Sequence, residues 1–520
     1  MATPYALEND IRDNCGQADG NRPGLYRIES AWLYYGGKDH GLQPYLQKIY
    51  IFEDIDKHGI TGWIDMIDID NVITGQMKEH TITGQELLTL KFSTVGSKYP
   101  IDFTKHPLHV HKIENLRFLD QGTGAQSATT VKYRIHFCAP ELMNNERIRV
   151  SKAYEDTYSN IVKDILQNIL KTGKDIWLEE TKDIHKVVIP NMHPFDAIRW
   201  IIKKCRSNSF KVNDKPNYNF YETTKGYRFK TLHVQSEKQT GSADLPDAND
   251  YQMGWTVRAG FSQGNYVQEM STAKGFKFVR TGDTYAAIRN GMLASKSILH
   301  DSYHKVYNVR ATSYIPSWEK REAGIESLPD RGFVPDYHIT DGSVHVPTGD
   351  KFPGQMPAYT TSESFTEFPD SRIFFDSTGS KHAYDFADDK GVRTVDSATD
   401  QLVTPLWHMQ QRHDRYLQIE LTVHGVSGLQ VGDAISIQFP WMGVQKSKAY
   451  GLPDMRWTQM YYVTQLVHRV NLDESIVEYS CDIICSAMGG TMGSLHKNGN
   501  LAGVKTAKGS IRDFSGGQER

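Results

Sequence analysis

The chain has 520 residues, of which 39% are hydrophobic, 11% aromatic and 23% charged. That mix excludes global disorder and, at ~150 residues per domain, suggests several domains. Lys plus Arg number 59 against 62 Asp plus Glu, a formal charge of −3, which excludes the strong basic field of an avid nucleic-acid binder. No apolar run approaches the ~18–20 residues of a membrane-spanning helix.

The first 24 residues are polar, carry Glu8, Asp10 and Asp13, and lack an apolar core. They read as a flexible arm and not as a secretory signal. Cys15, Cys138, Cys205, Cys481 and Cys485 are few and odd in number, which fits reduced thiols made in a cytoplasm.

From residue 25 to about 147 the chain is β-rich. Strands are predicted over 25–35, 46–54, 62–73, 86–93, 108–119 and 130–138, with period-two alternation such as Leu88, Leu90 and Phe92 against Thr89 and Lys91. This pattern suits an antiparallel barrel or sandwich. The period changes in Ser151–Lys171, where Tyr154, Tyr158, Ile161, Ile165 and Ile169 predict an amphipathic helix. A second helix is predicted from Pro194, a hairpin over 217–235, a third helix over 283–300 and a strand over 305–314.

Residues 313–400 hold seven of the 20 prolines and few aliphatic runs, so they read as an extended surface excursion. Its length fits an interaction role or a passive insertion. A short helix near 400–412 leads into a second β region over 417–486. Residues 487–520 contain eight glycines and read as a flexible tail. One internal echo appears. Glu86-Leu87-Leu88-Thr89-Leu90-Lys91-Phe92 and Asp433-Ala434-Ile435-Ser436-Ile437-Gln438-Phe439 both read acid, x, apolar, x, apolar, x, Phe. Two copies of one barrel type would produce it, and so would two generic strands.

Catalytic motifs with fixed spacing are absent: there is no phosphate-binding G-x-x-x-x-G-K-[ST], H-E-x-x-H, C-x-x-C or G-x-S-x-G. Asp54, Asp56, Gly59 and Asp65 imitate a calcium loop, but His58 occupies a ligand position and the flanks are strands, so a β-turn is preferred. His109 and His111 would share one strand face, with His106 just before Pro107; polar residues on a wet strand face are the preferred reading over a metal site. His300 and His304 stand four apart at a predicted helix end, where cations also complement the dipole. Cys481 and Cys485 share a strand face about 13 Å apart at ~3.3 Å per residue, too far for a disulfide. Asp65, Asp68 and Asp70 read as solvated strand carboxylates. No catalytic, cofactor or metal residue is therefore assigned.

Three stretches taken in order carry a resemblance. They are VKYRIHFCAPELMNNERIRVS (Val131–Ser151) leading into AYEDTYSNIVKDIL, then VVIPNMHPFDAIRWIIKKC (Val187–Cys205) with FYETTKGYRFKTL, then LQIELTVHGVSGLQVGDAISIQFP (Leu417–Pro440) with MYYVTQLVHRVNLDESIVEYSCDII. This order resembles the baseplate hub subunits of contractile-tailed bacteriophages and, more remotely, type VI secretion spike hubs. The resemblance implies a mainly β fold with an inserted α/β segment and two tail-tube-like antiparallel β-barrels in one chain. The first barrel would span 25–147. The second would combine 301–312 with 401–486, and an inserted domain would occupy 148–300, with its hairpin 217–235 available to join the second barrel.

It further implies a structural virion protein without enzymatic activity, assembled in a host cytoplasm and placed in the tail baseplate. A homotrimer would join a three-fold central spike to a six-fold tail tube or tube initiator. Surrounding baseplate proteins would be further partners. DNA would cross the lumen only in transient passage, and nothing would insert in a membrane. The 313–400 excursion and the Gly-rich tail depart from a minimal hub. Two alternatives stand beside this reading: a cell-wall-degrading tail enzyme, with 27 Tyr and 9 Trp available to line a sugar groove and Asp65 or Asp68 as the acid, or a secretion-system spike hub. A chain ending at Arg520 without a repetitive β-prism favours a separate spike partner.

Overall fold

The computed structural model describes residues 23–35, 38–69, 73, 84–95, 97, 99–118, 130–208, 216–231, 255–259, 272–280, 283–292, 294–301, 306–313, 369–378, 397–413, 415, 417–439, 459–472 and 477–487. The predicted N-terminal arm, most of the 313–400 excursion and the tail lie outside the described residues, as do Cys15, Asp70 and His304.

The first β region contains β1 (Tyr26–Tyr35), β2 (Lys38–Gly41), β3 (Leu46–Asp54), β4 (Thr61–Ile69), β5 (Leu87–Thr94), β6 (Ile101–Asp102), β7 (Leu108–Phe118) and β8 (Thr130–Cys138). Alternation sets their faces. In β8, Val131, Tyr133, Ile135 and Phe137 are buried while Lys132, Arg134 and His136 are half-buried on the opposite side. Gly62 in β4 is required by close approach: a Cβ there would lie 2.3 Å from the Tyr50 carbonyl and 2.4 Å from the Phe137 ring.

An α/β unit follows. Helix α1 (Pro140–Arg147) precedes β9 (Val150–Asp156), α2 (Tyr158–Asp164, continued by a π turn through Ile169), β10 (Ile176–Leu178), β11 (His185–Met192), α3 (Pro194–Ile202), β12 (Tyr218–Thr223) and β13 (Gly226–Thr231). The helix predicted from Ser151 begins only at Tyr158. Val150–Asp156 pairs antiparallel with β11, and the Thr157 hydroxyl then caps the helix by accepting from the Asn160 amide. The hairpin predicted over 217–235 joins neither region of the large sheet. Its strands are buried on both faces and form a sheet of their own, with β13 parallel to β10.

Further on come β14 (Trp255–Ala259), β15 (Thr272–Arg280), α4 (Thr284–Arg289), β16 (Ala294–Asp301), β17 (Val306–Ser313) and β18 (Ile373–Thr378). The helix predicted over 283–300 stops at Arg289. Gly291, at φ +72°, turns the chain out of it, and β16 pairs with β17 and β18. That small sheet holds β17, so the strand expected at 301–312 in the second barrel lies elsewhere. β14 and β15, inside the expected 148–300 insertion, instead join the second β region. Helix α5 (Ser397–His413) leads to β19 (Gln418–His424), β20 (Ala434–Gln438), β21 (Gln459–Asn471) and β22 (Glu478–Ala487).

The protein is mainly β and mostly antiparallel, as expected, but the two β regions are not separate sheets. One edge of β21 changes partner along its length. Gln459–Tyr462 pairs with β20, and Gln465–Asn471 pairs with Lys48–Asp54 of β3. The path β2-β1-β5-β7-β8-β4-β3 thereby runs into the path β21-β20-β14-β15-β19-β22, and β22 pairs back along β21. One apolar core extends through both regions, from Leu33, Ile51 and Phe92 to Leu421, Ile437 and Ile483. A second core, with Ile161, Leu166, Phe195, Ile198 and Phe229, belongs to the α/β unit.

Ile51 is fully buried on β3, the strand that joins the two regions. Ile51→Ala is expected to cost about 2–5 kcal/mol through lost burial and the cavity left behind, read as a lower denaturant midpoint.

Candidate functional site

The alternation of β3 that turns Ile49 and Ile51 inward also turns Glu53 inward, and the carboxylate is 2% exposed. It reaches two other parts of the chain. Oε1 accepts the Thr224 amide at 2.9 Å, in the turn between β12 and β13. Oε2 accepts the Val431 amide at 3.0 Å, in the turn before β20. One carboxylate thus holds the first β region, the second β region and the α/β unit together. Burial pushes the Glu53 pKa up to about 7 against the pull of these hydrogen bonds, and nearby Glu222 adds to the rise.

Asp433 stands beside this point at the foot of β20. It is buried, and its Oδ2 accepts the Gln430 amide at 2.9 Å. Burial raises its pKa, opposed by its Gln430 hydrogen bond and by the charges of Lys230 and Lys225. Glu222 of β12 accepts the Ile60 amide at 2.8 Å and pairs with Lys174 at 2.5 Å. Lys174 also pairs with Glu141 at 2.6 Å, and Glu141 accepts the Thr172 hydroxyl at 2.6 Å. Burial opposes the Lys174 charge, but the two carboxylates prevail and raise its pKa.

The echo between the two β regions extends to this chemistry. Glu86, at the foot of β5, is buried and accepts the amides of Gly84 at 2.8 Å and Gln85 at 3.0 Å. Asp433 serves the turn before β20 in the same way. In both strands the following inward residues, Leu88, Leu90 and Phe92 or Ile435, Ile437 and Phe439, are buried.

The opposite face of the sheet carries a polar ladder across the junction. Asp65 of β4 takes a bidentate pair from Arg134 of β8 at 2.6 and 2.9 Å. The Arg134 guanidinium lies 3.7 Å from the Trp63 ring centroid, and Trp63 stacks on Tyr50 of β3 at 3.9 Å. Arg469 of β21 donates to the Tyr50 hydroxyl at 3.2 Å and to Asp482 of β22 at 2.8 Å. Asp482 accepts the Thr422 hydroxyl of β19 at 2.9 Å. Two arginines and two aspartates cancel in charge over six strands.

The residues weighed from sequence do not converge. Asp54 Oδ1 accepts the Asp56 amide at 2.9 Å in an Asx turn, Asp56 pairs with Arg415, and His58 Nδ1 faces the Phe220 carbonyl at 3.2 Å. Asp65 is held by Arg134, away from that turn, while Asp68 is buried and accepts the Ile73 amide at 3.1 Å. Neither is a solvated strand carboxylate. His109 stands on β7 between the buried Leu108 and Val110, and His111 follows Val110, His109 half-buried and His111 exposed; burial lowers both pKa values. His106 lies beside Gly173, on the side of the α/β unit. His300 falls in β16 and not at a helix end. Among the described residues no three His, Cys, Asp or Glu side chains form a metal-holding group, and Cys138, Cys205, Cys481 and Cys485 are buried free thiols. Burial pushes Cys138 up to about 11 and Cys481 up to about 12, so both stay protonated. No described helix is long and apolar enough to cross a membrane.

Sequence reading passed over Glu53, Glu222 and Lys174. The signal for Glu53 is present: an acid in period-two register with Ile49 and Ile51 on the buried side of a strand. For Lys174 no local signal exists, because its partners lie 33 and 48 residues away.

No family model and no curated protein sequence matches the chain. Its structural neighbours include phage tail and baseplate proteins and a component of the type VI secretion system. It is similar to the 43 kDa tail protein of prophage MuSo2 from Shewanella oneidensis (9% identity, 88% of this chain and 98% of that one, TM-score 0.46). It is also similar to a tail protein from Neisseria meningitidis (9% identity, 90% and 98%, TM-score 0.42). A third neighbour is an E. coli component of the type VI secretion system described as structurally similar to T4 bacteriophage tail proteins (9% identity, 90% and 78%, TM-score 0.36).

Lys174→Ala leaves Glu141 and Glu222 buried without their cation and is expected to cost about 3–5 kcal/mol, measured by urea denaturation at neutral pH. The Glu53 carboxyl titrates near 7 when folded and near 4.5 when unfolded, so the stability its proton supplies is complete below about 4.5 and is lost as pH rises through 7. Glu53→Gln is expected to flatten that part of the stability profile between pH 5 and 8. An unchanged slope in the variant would assign the loss to other groups.

Proposed function

We propose that this chain is a non-enzymatic structural protein of a phage tail baseplate, acting as a trimeric hub between a three-fold spike and a six-fold tail tube. The observation that carries the proposal is the joining of two like-built β regions through β3 and β21. Each region contributes a strand with a buried acid at its foot serving its own turn and three inward apolar residues ending in Phe. Three copies of such a chain offer six similar β units around one axis, and cyclic association closes the ring. The fusion suits a rigid adaptor, because the two units cannot turn independently while β21 pairs with both.

In this reading the two β regions act as tail-tube-like barrels. The α/β unit between them is the inserted domain, and the 313–400 excursion and tail meet neighbouring baseplate proteins. The charge-neutral ladder fits a wall that DNA slides past, since paired arginines offer few free cations to phosphates. The particle would be assembled in a host cytoplasm from reduced chains.

The test is the mass of the purified full-length protein by light scattering, with cross-linking and averaged particle images. Expected are a trimer with three-fold symmetry and co-migration with a spike protein of the same tail. A strict monomer at high concentration without affinity for the spike would count decisively against the hub.

A further inference from the structure

The pairing of β7 with β8 and of β8 with β4 sets their outward side chains in cross-strand rows. One row runs Lys112, His136 and Trp63, and the next runs Glu114, Arg134 and Asp65. The third runs Arg117, Lys132 and Ile67. The first two rows are compensated within the fold. Glu114 takes Lys112 and, at 2.8 Å, His136 Nε2, while Asp65 takes Arg134. The third row holds no acid. Arg117 is exposed and Lys132 half-buried, and among the described residues neither forms an ion pair or a side-chain hydrogen bond.

Residues directly opposite on neighbouring strands have Cβ atoms about 4.5–5.5 Å apart, and like charges there repel. The backbone creates this opposition. A bulge between Glu114 and Arg117 sets Asn115 and Leu116 against Tyr133 alone, with Asn115 in the left-handed region at φ +57°. Without the extra residue the register of Glu114 with Arg134 would continue, and Leu116 would stand opposite Lys132. The bulge puts Arg117 there instead. A departure from regular backbone thus brings two cations together, which costs stability in the isolated chain. Apolar surface lies beside them. Leu116 is 54% exposed, and so is Ile69, one row beyond Ile67 on β4.

We propose that Arg117, Lys132 and Ile67, with Leu116 and Ile69 beside them, dock a partner protein whose surface carries carboxylates and apolar side chains together. Charge complementarity sets the acidic component: a carboxylate seated between Arg117 and Lys132 pairs with both and removes their repulsion. The apolar residues favour a protein over a nucleic acid, whose backbone offers phosphates and sugars and little to cover Leu116 and Ile69. Arginine set among apolar side chains is the composition that protein interfaces enrich. The surface stands on strand register and rests on none of the hub reading.

The probe is a labelled synthetic peptide of alternating Glu and Leu, titrated with the full-length protein and read by fluorescence anisotropy. Oligoglutamate and a DNA duplex of equal charge are the comparisons. The Glu-Leu peptide is expected to bind at least about tenfold more tightly than either. Arg117→Glu combined with Lys132→Glu keeps the mutual repulsion but reverses its sign, so it is expected to melt like the parent and to weaken the peptide at least about tenfold. Arg117→Glu alone sets opposite charges across the row. It is expected to raise the denaturant midpoint of the free protein while weakening the peptide. A lowered midpoint would show that Arg117 is answered within the fold and would overturn the proposal. So would oligoglutamate or DNA binding as tightly as the peptide, or a double variant that binds the peptide like the parent.

Discussion

A buried carboxylate is costly unless its lone pairs are taken, and Glu53 meets that condition with amides from two distant turns. Each amide would itself be an unsatisfied donor if the other unit moved away. The three units are therefore held by mutual need: withdrawing the β12–β13 hairpin strips Glu53 of one partner, and withdrawing the turn before β20 strips it of the other. Apolar contact around this point supplies attraction without direction. The Glu53 hydrogen bonds supply the register at which the units meet.

The β3–β21 pairing extends this constraint along a whole strand. Seven residues of β3, Lys48 to Asp54, face seven of β21. A one-residue slip would turn Ile49, Ile51 and Glu53 outward and Tyr50 inward. The ladder on the outer face depends on the same register, since Tyr50 must lie opposite Arg469 to accept its hydrogen bond. Both faces of the seam thus specify one alignment, the inner by burial and the outer by paired charge and stacking.

Much of the β architecture was legible because its strands alternate in the chain. The predicted spans 46–54 and 130–138 coincide with β3 and β8. Periodicity misled where two patterns overlapped: Tyr154 and Tyr158 share helical spacing, yet Val150–Asp156 gains its hydrogen bonds from β11. It was silent on partners. Nothing in Trp255–Ala259 announces that it pairs in parallel with β20, nearly two hundred residues later. The buried ionic group of Lys174, Glu141 and Glu222 was illegible for the same reason, since each member alone resembles a surface charge.

A net charge of −3 conceals how unevenly charge is arranged. Along the ladder each arginine meets an aspartate, so the sheet face is polar without a field. At the junction, carboxylates and a lysine are enclosed and answer one another in low dielectric, where each pairing is strong and each omission costly. Near the end of α5, Arg415 pairs with Asp56, while among the described residues Arg280, Arg372 and Arg412 form no ion pair. The ladder and the junction spend their charge on register within the chain.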